Sequence, residues 1–340
     1  MVDEDAVTLV IPGRNCAGTL HDCLEAVITI LQAGRCNLHQ IVFVDDGSTD
    51  ASARIAGEFP VRVLTGSGGG PGAARNVGWR AATTPLVWFI DSDCVARPDA
   101  LDLLLPHLAD PRVGGVGGSY GNMCPESLLA CVIHEEIMLR HARMSSRVNF
   151  LGGFNVIYRR NVLEQVGGFD ESRFNGRGSP GAEDAELSYR VAAAGNELRF
   201  EPRSLVRHFH PKRLSRYLRS QRHHGYWRVF LHIAHRHTAM GDDYSTWVDH
   251  AQPPLAMLML ACLPLLATDH YWTIPVSLAG GLAALQLPLA ARLFGRMRNV
   301  RYLAFVPIGF LRSIWRGIGM VQGVVAYLLS PKAHRAGSGS

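Results

Sequence analysis

The sequence lacks any paired cysteine motif. Its seven cysteines (Cys16, Cys23, Cys36, Cys94, Cys124, Cys131 and Cys262) are odd in number, scattered, and without a CxxC spacing. That argues against a disulfide framework or a zinc knuckle and for a reducing compartment. Carboxylates are almost missing from the C-terminal part, where Asp269 is the only one between residues 253 and 329. A long apolar leader is lacking too: "MVDEDAVTLVIPGRN" starts acidic, and its apolar run stops after residues 7–12. Without a basic start or sufficient length this is not a signal peptide, so the N-terminal region is expected to stay in the cytosol. There is no internal repeat, and the closing "AGSGS" reads as a flexible linker. A formal charge of +5 over 340 residues is too small to mark a polyanion binder by itself, so the local placement of charge matters more.

What is present is an alternation. "AVTLVIP", "QIVFVDD", "VRVLTG" and "PLVWFID" are apolar, β-branched runs that suit strands covered on both faces. Between them "TLHDCLEAVITILQAG", "STDASARIAGEF" (opening at a Ser/Thr cap) and "GPGAARNVGWRAAT" read as helices. Such alternation predicts a doubly wound parallel sheet, with ligands at the carboxyl ends of its strands. Asp45, Asp46, Asp91 and Asp93 all fall there. Further on, "GGVGGSYGNM" predicts a strand, "PESLLACVIHEEIMLRHARM" a helix, "FLGGFNVIYRRNVLEQVGGFD" a strand and short helix, and "GAEDAELSYRVAAAG" a helix with an acidic first turn. "ELRFEP" and "LVRHFHP" close this half as strands.

The run "VWFIDSDCVARPDAL" ends an apolar strand in two carboxylates, Asp91 and Asp93. An Asp-x-Asp at a strand end offers oxygen donors suited to magnesium or manganese, although a helix-capping loop would use the same residues.

Taken in order, "VIPGRN", "VDDGSTD", "GPGAARNVGW", "DSD", "RRNVLEQVGGFDE", "GAEDAELSYRVAAAG" and "QRHHGYW" resemble the family 2 glycosyltransferases over roughly residues 7 to 227. These are inverting sugar-nucleotide enzymes of the GT-A fold. The resemblance implies an α/β fold, a Rossmann-like mixed sheet with flanking helices, followed here by a helical membrane-associated C-terminal region. It implies a nucleotide pocket of Pro12, Arg14, Asn15 and Asp46, with Arg75 supporting the nucleotide and Asn76 either there or capping its helix. Asp91 and Asp93 match the metal pair, for Mn2+ or Mg2+, and Asp91 also faces the donor. Asp184 matches the catalytic base, with Glu183 next to it. His208, or equally His210, matches a further metal ligand or diphosphate contact. Glu183, Arg222 and Trp227 are expected at the acceptor or diphosphate. The implied partners are a UDP- or GDP-sugar and a lipid-linked or glycan acceptor. Processive members carry Gln-x-x-Arg-Trp; here Arg222 follows Gln221 at once and Trp227 comes later, which favours transfer of a single sugar.

The segment 212–236 is basic and aromatic, and residues 271–291 form an uncharged run of 21 residues, enough to cross roughly 30 Å of hydrocarbon. Residues 253–268 and 271–291 are expected to form a hairpin turning at Asp269 and His270. Residues 302–329 would span, or lie at the interface with Arg312 and Arg316 snorkelling. Arginines 292, 296, 298 and 301 after the uncharged run mark a cytosolic loop. The expected divisions are 1–113 for nucleotide-sugar binding, 114–211 for acceptor and catalysis, 212–250 for basic interfacial helices, 251–331 for hydrophobic helices and 332–340 for a tail. The protein is expected to be integral to the membrane, in contact with membrane lipids, with its catalytic part cytoplasmic. A nucleic-acid binder could use the Arg/aromatic segment, but that use leaves the Asp constellation unexplained, so no nucleic acid is expected. The alternatives are a membrane-associated nucleotidyltransferase and an inactive GT-A scaffold.

Overall fold

The β-branched runs pair as the alternation requires. β1 (Val7–Gly13) lies between β2 (Leu38–Asp45) and β4 (Leu86–Ile90), and β3 (Arg62–Thr65) adds outside β2, all parallel. Successive side chains of a strand point to opposite faces. Leu9 and Ile11 therefore pack with α1 (Leu20–Ala33) in one core, while Val10 packs with α3 (Pro71–Arg80) in the other. A short α2 (Ser52–Gly57) opens without the expected side-chain cap; instead the Asp50 carboxylate accepts from Ser52 N–H and hydroxyl. These statements come from a computed structural model that describes residues 5–34, 37–171, 182–235 and 243–329.

The sheet does not stay parallel. β5 (Cys94–Ala96), α4 (Ala100–Leu104), β6 (Val113–Asn122), α5 (Leu128–His141), β7 (Arg147–Val148), β8 (Asn155–Arg159), α6 (Arg160–Val166), α7 (Glu183–Ala193) and β9 (Glu197–His208) follow. The order is β3-β2-β1-β4-β8-β6-β9-β5, with β7 on β9. β8 runs antiparallel to both β4 and β6, so the sheet is mixed. The two short strands expected at "ELRFEP" and "LVRHFHP" are one 12-residue strand, β9. From β1 the chain winds to β2 and β3 on one side and then crosses to β4 on the other. The crevice beyond the carboxyl ends of β1 and β4 is thus a topological switch point, where open α/β sheets bind ligands.

Contacts divide the chain into two compact units. Met1–Cys124 with His141–His210 holds the sheet; Pro125–Arg140 with Pro211–Ser340 holds α5 and the C-terminal helices. The second unit comprises, besides α5, helices α8 (Leu214–Ala234), α9 (Trp247–Ala261), α10 (Thr273–Ala284), α11 (Leu287–Met297) and α12 (Phe305–Leu329). Glycines let α12 lie directly on α8: a Cβ on Gly319 would stand 1.8 Å from the Arg222 carbonyl oxygen, and one on Gly225 2.0 Å from that of Arg316.

α9 and α10 form the expected hairpin, packed through Ala256, Met259 and Leu282. The uncharged run is divided at Gln286, whose side chain is buried and donates to the Leu282 carbonyl. Arg312 does not snorkel. It is 2% exposed, and its Nη1 donates to both Glu136 oxygens at 2.6 Å. Arg140 joins the same Glu136 to Asp249, donating to the latter at 2.7 and 2.9 Å. Arg316 donates from Nε to Gln221 Oε1 at 2.8 Å. Carboxylates on α5 and α9 thus meet the α12 arginines inside the unit, where a buried charge needs a partner.

Candidate active site

The site begins with the loops after β1 and β2. Asn15 adopts a left-handed backbone (φ 51°), and its Oδ1 accepts from Thr49 N–H at 2.8 Å, while its own N–H donates to Ser48 Oγ at 3.0 Å. Pro12 is buried in β1 opposite Val44, and Arg14 is exposed. Asp46 is 3% exposed. Its two oxygens accept from Gly68 N–H at 2.8 Å and Gly70 N–H at 2.7 Å, so this carboxylate holds the glycine-rich turn that leads into α3. Both glycines have positive φ (73° and 94°), a conformation that side chains disfavour.

α3 then delivers Arg75 to the end of β4. Its guanidinium is 3% exposed and donates to Asp91 Oδ1 at 2.6 Å and to Glu183 Oε1 at 3.0 Å. It also stands 5.5 Å from the Phe169 ring centre. A Cβ on Gly153 would come within 2.9 Å of this guanidinium, so the second glycine of "FLGGFN" makes room for it. Asn76 does not cap a helix: its amide donates to the Phe169 carbonyl and Glu171, and its oxygen accepts from Phe169 N–H and Trp79 Nε1.

Glu183 and Asp184 open α7. Glu183, expected at the acceptor or diphosphate, is 4% exposed and is turned to Arg75. Asp184 accepts from Ala185 N–H at 2.8 Å and, at 3.4 Å, from Gly153 N–H. Burial, joined by the charge of Glu183, pushes its carboxyl up to about 7; Arg75 and the two backbone donors pull the other way. A carboxylate with that value is matched to proton abstraction near neutrality.

Asp91 and Asp93 are 33% and 36% exposed, so both reach solvent. Asp91 is paired with Arg75, whereas Asp93 Oδ2 lies 3.3 Å from His208 Nε2 at the end of β9. The other nitrogen of His208 is 3.0 Å from Nδ1 of the buried His210. Oxygen and nitrogen donors so placed fit a divalent cation. Asp93, Cys94 and His208 offer ligand atoms within 4.8 Å of one another. Cys94 and Gly153 escaped the sequence reading. Cys94 is simply the next residue in "DSDC", and only the pairing of β5 with β9 sets it opposite His208. Arg222 and Trp227 lie on α8 in the second unit; the Trp227 ring packs 5.0 Å from Tyr226 and 5.6 Å from Phe230.

A family model described as glycosyltransferase like family 2 matches residues 5–226. Among curated proteins, a pre-mycofactocin glycosyltransferase of Mycobacterium tuberculosis is 34% identical over 219 residues, 61% of this chain and 43% of that protein. Glycosyltransferase AglE of Haloferax volcanii is 26% identical over 201 residues, 57% of this chain and 64% of that protein. The chain spans about half the length of the curated relatives it matches. Among solved structures, the mannosyltransferase PcManGT of Pyrobaculum calidifontis, in complex with GDP-Man and Mn2+, is similar at a TM-score of 0.53 and 19% identity, over 94% of this chain and 86% of that one. That likeness is one of fold.

Proposed function

The chain belongs to glycosyltransferase family 2, and on that premise we propose that it moves a single sugar from a nucleoside-diphosphate sugar, with inversion, to a lipid-linked or membrane-proximal acceptor. The observation that carries this reading is the Arg75 hub, which joins Asp91 at the end of β4 to Glu183 beside Asp184. The donor-side carboxylate Asp91 and the base Asp184, raised to about 7, are thereby drawn to one guanidinium by an Arg75–Glu183 pair that spans 108 residues of sequence.

Pro12, Arg14, Asn15, Asp46, Arg75 and Asp91 are assigned to the nucleotide sugar. Asp184 takes the proton of the acceptor hydroxyl as its oxygen attacks the anomeric carbon, and the bond to the diphosphate breaks with its electron pair leaving on the diphosphate. Asp91, Asp93 and His208 would hold Mn2+ or Mg2+, which when bound supplies positive charge against the diphosphate leaving group. The pyrobaculum mannosyltransferase bears GDP-Man and Mn2+, which supports such a pairing here. Arg222 and Trp227 are assigned to the acceptor.

The membrane part of the reading is supported by two helical stretches, Trp247–Ala267 and Thr273–Met297, long and apolar enough to cross a membrane. Among the described residues, 17 of the 20 exposed large hydrophobic side chains fall in 247–329, including Trp247, Trp272, Phe294 and Leu328. Apolar exposure concentrated in this way fits lipid contact. The test is to incubate the detergent-solubilised full chain with radiolabelled UDP- and GDP-sugars, Mn2+ and a lipid extract. Label entering the lipid phase with nucleoside diphosphate release is expected. Pyrophosphate release would instead indicate a nucleotidyltransferase, and no transfer to lipid or glycan from any donor would sink the proposal.

A further inference from the structure

Where the apolar stretch Thr273–Met297 ends, the helical unit has a cavity of about 170 Å³. It lies between the start of α5 and the turn from α11 to α12, and its lining includes Glu126, Leu128, Cys131, Asn299, Arg301 and Tyr302. A single water needs only about 10–15 Å³, so the space admits a polyatomic group. The turn is braced. Arg298 ends α11 with a left-handed backbone (φ 51°), which side chains disfavour, and Asn299 Oδ1 accepts from Arg301 N–H at 3.0 Å. The buried Tyr302 packs with Val132, Leu293 and Phe305, and Arg296 Nε donates to Glu135 of α5 at 2.9 Å. The charge at the cavity is positive. Glu126 is neutralised by Lys212, 2.6 Å away, whereas among the described residues no carboxylate pairs with the exposed Arg301. The rim is apolar, because Leu128, Val300 and Leu303 are all exposed. In a stretch that crosses a membrane this end stands at headgroup depth, where arginines meet lipid phosphates.

We propose that this cavity binds the headgroup of an anionic phospholipid, with its phosphodiester on Arg301 and its acyl chains along Leu128, Val300 and Leu303. This rests on the reading that the helical unit sits in a membrane. The site is separate from the acceptor's, since none of its lining residues is among those assigned to donor or acceptor. A choline headgroup brings its own cation beside the phosphate, so a zwitterionic lipid loses the net attraction to Arg301. The bound lipid joins α5 to the turn before α12, and a ligand held only by the folded state stabilises that state. Anionic lipid is then a requirement of the helical unit in its own right.

The experiment uses the delipidated full chain in neutral detergent, with short-chain phosphatidylglycerol, short-chain phosphatidylcholine or inorganic phosphate as the probe. Native mass spectrometry should find a single tightly held phosphatidylglycerol. Arg301→Gln should weaken it at least about fivefold, the factor that about 1 kcal/mol for one arginine near a lipid phosphate represents. Arg292→Gln, which changes an exposed arginine of α11 outside the cavity, should leave it unchanged. A second readout needs no variant. Cys131 lines the cavity, so phosphatidylglycerol should slow its alkylation by a maleimide, while Cys262 at the end of α9 reacts as before. Equal losses in Arg301→Gln and Arg292→Gln, without protection of Cys131, would show diffuse attraction only and overturn the site. Protection of Cys131 by phosphatidylcholine or by inorganic phosphate as strong as that by phosphatidylglycerol would overturn the anionic-lipid assignment and leave the membrane reading standing. A full chain that is soluble without detergent and does not float with phosphatidylglycerol vesicles would overturn the membrane reading and this inference together.

Discussion

A carboxyl raised to about 7 by burial and a like-charged neighbour is neither a surface Asp nor a permanently neutral one. Two outcomes follow at Asp184. With Asp184 as the proposed base, turnover should rise with pH and level off above about 7, because in that role only the ionised form takes the acceptor proton. Asp184→Asn should lower turnover by about 10²–10⁴ while calorimetry still finds nucleotide binding; a wild-type rate in that variant would remove Asp184 from the base role. The same shift has a stability sign. Raised from 3.8 to about 7, the carboxyl contributes stability that is full below its unfolded value and lost as pH rises through its folded one. Asp184→Asn should therefore melt above wild type at about pH 8, with the gap closing towards about pH 5. Arg75 works in the opposite direction. Arg75→Met leaves Glu183 buried without its cation, and urea unfolding should register a loss of about 3–5 kcal/mol. Of these residues, "GAARN" and "GAED" were legible from motif order. The ion pair between them was not, because 108 residues separate Arg75 from Glu183 and no periodicity encodes it.

Among elements, α8 and α12 are the pair whose contact depends most on missing side chains. Gly319→Ala puts a Cβ 1.8 Å from the Arg222 carbonyl oxygen, so the helices must part, and overpacking of this kind costs about 1–3 kcal/mol. Gly280 in α10 has nothing within 4 Å of a built Cβ, so Gly280→Ala should instead gain up to about 1 kcal/mol of helix propensity. Thermal unfolding of the two variants in detergent should move in opposite directions; equal shifts would disprove the tight α8–α12 crossing. The helical period of α1 and the β-branched runs were legible because side chains a few residues apart decide them. Mixed strand direction was not, since β8 reads as one more apolar run whichever way it is laid against β4.

For the whole molecule, the full chain should stay with the membrane fraction after a high-salt or carbonate wash. Burial of apolar helices is not screened by salt, whereas attraction through the basic 212–236 segment is. Recovery in the soluble fraction without detergent would show that the apolar tail packs against protein instead. A chain cut near Tyr244 is a poor test, although the sequence makes it attractive: it would strip α12 from α8 and leave Glu136 without Arg312. The sequence by itself determined the α/β alternation, the family motifs, the strand-end carboxylates and the apolar tail, because each is a local pattern of hydrophobicity or residue type. The tertiary structure decided which charges meet and how dry they are. Arg312 meets Glu136 across 176 residues, Cys94 faces His208 through a strand pairing, and Asp184 is raised by desolvation and by the Glu183 charge beside it. Coulombic and desolvation effects depend on distance and burial in space, and those exist only once the chain has folded.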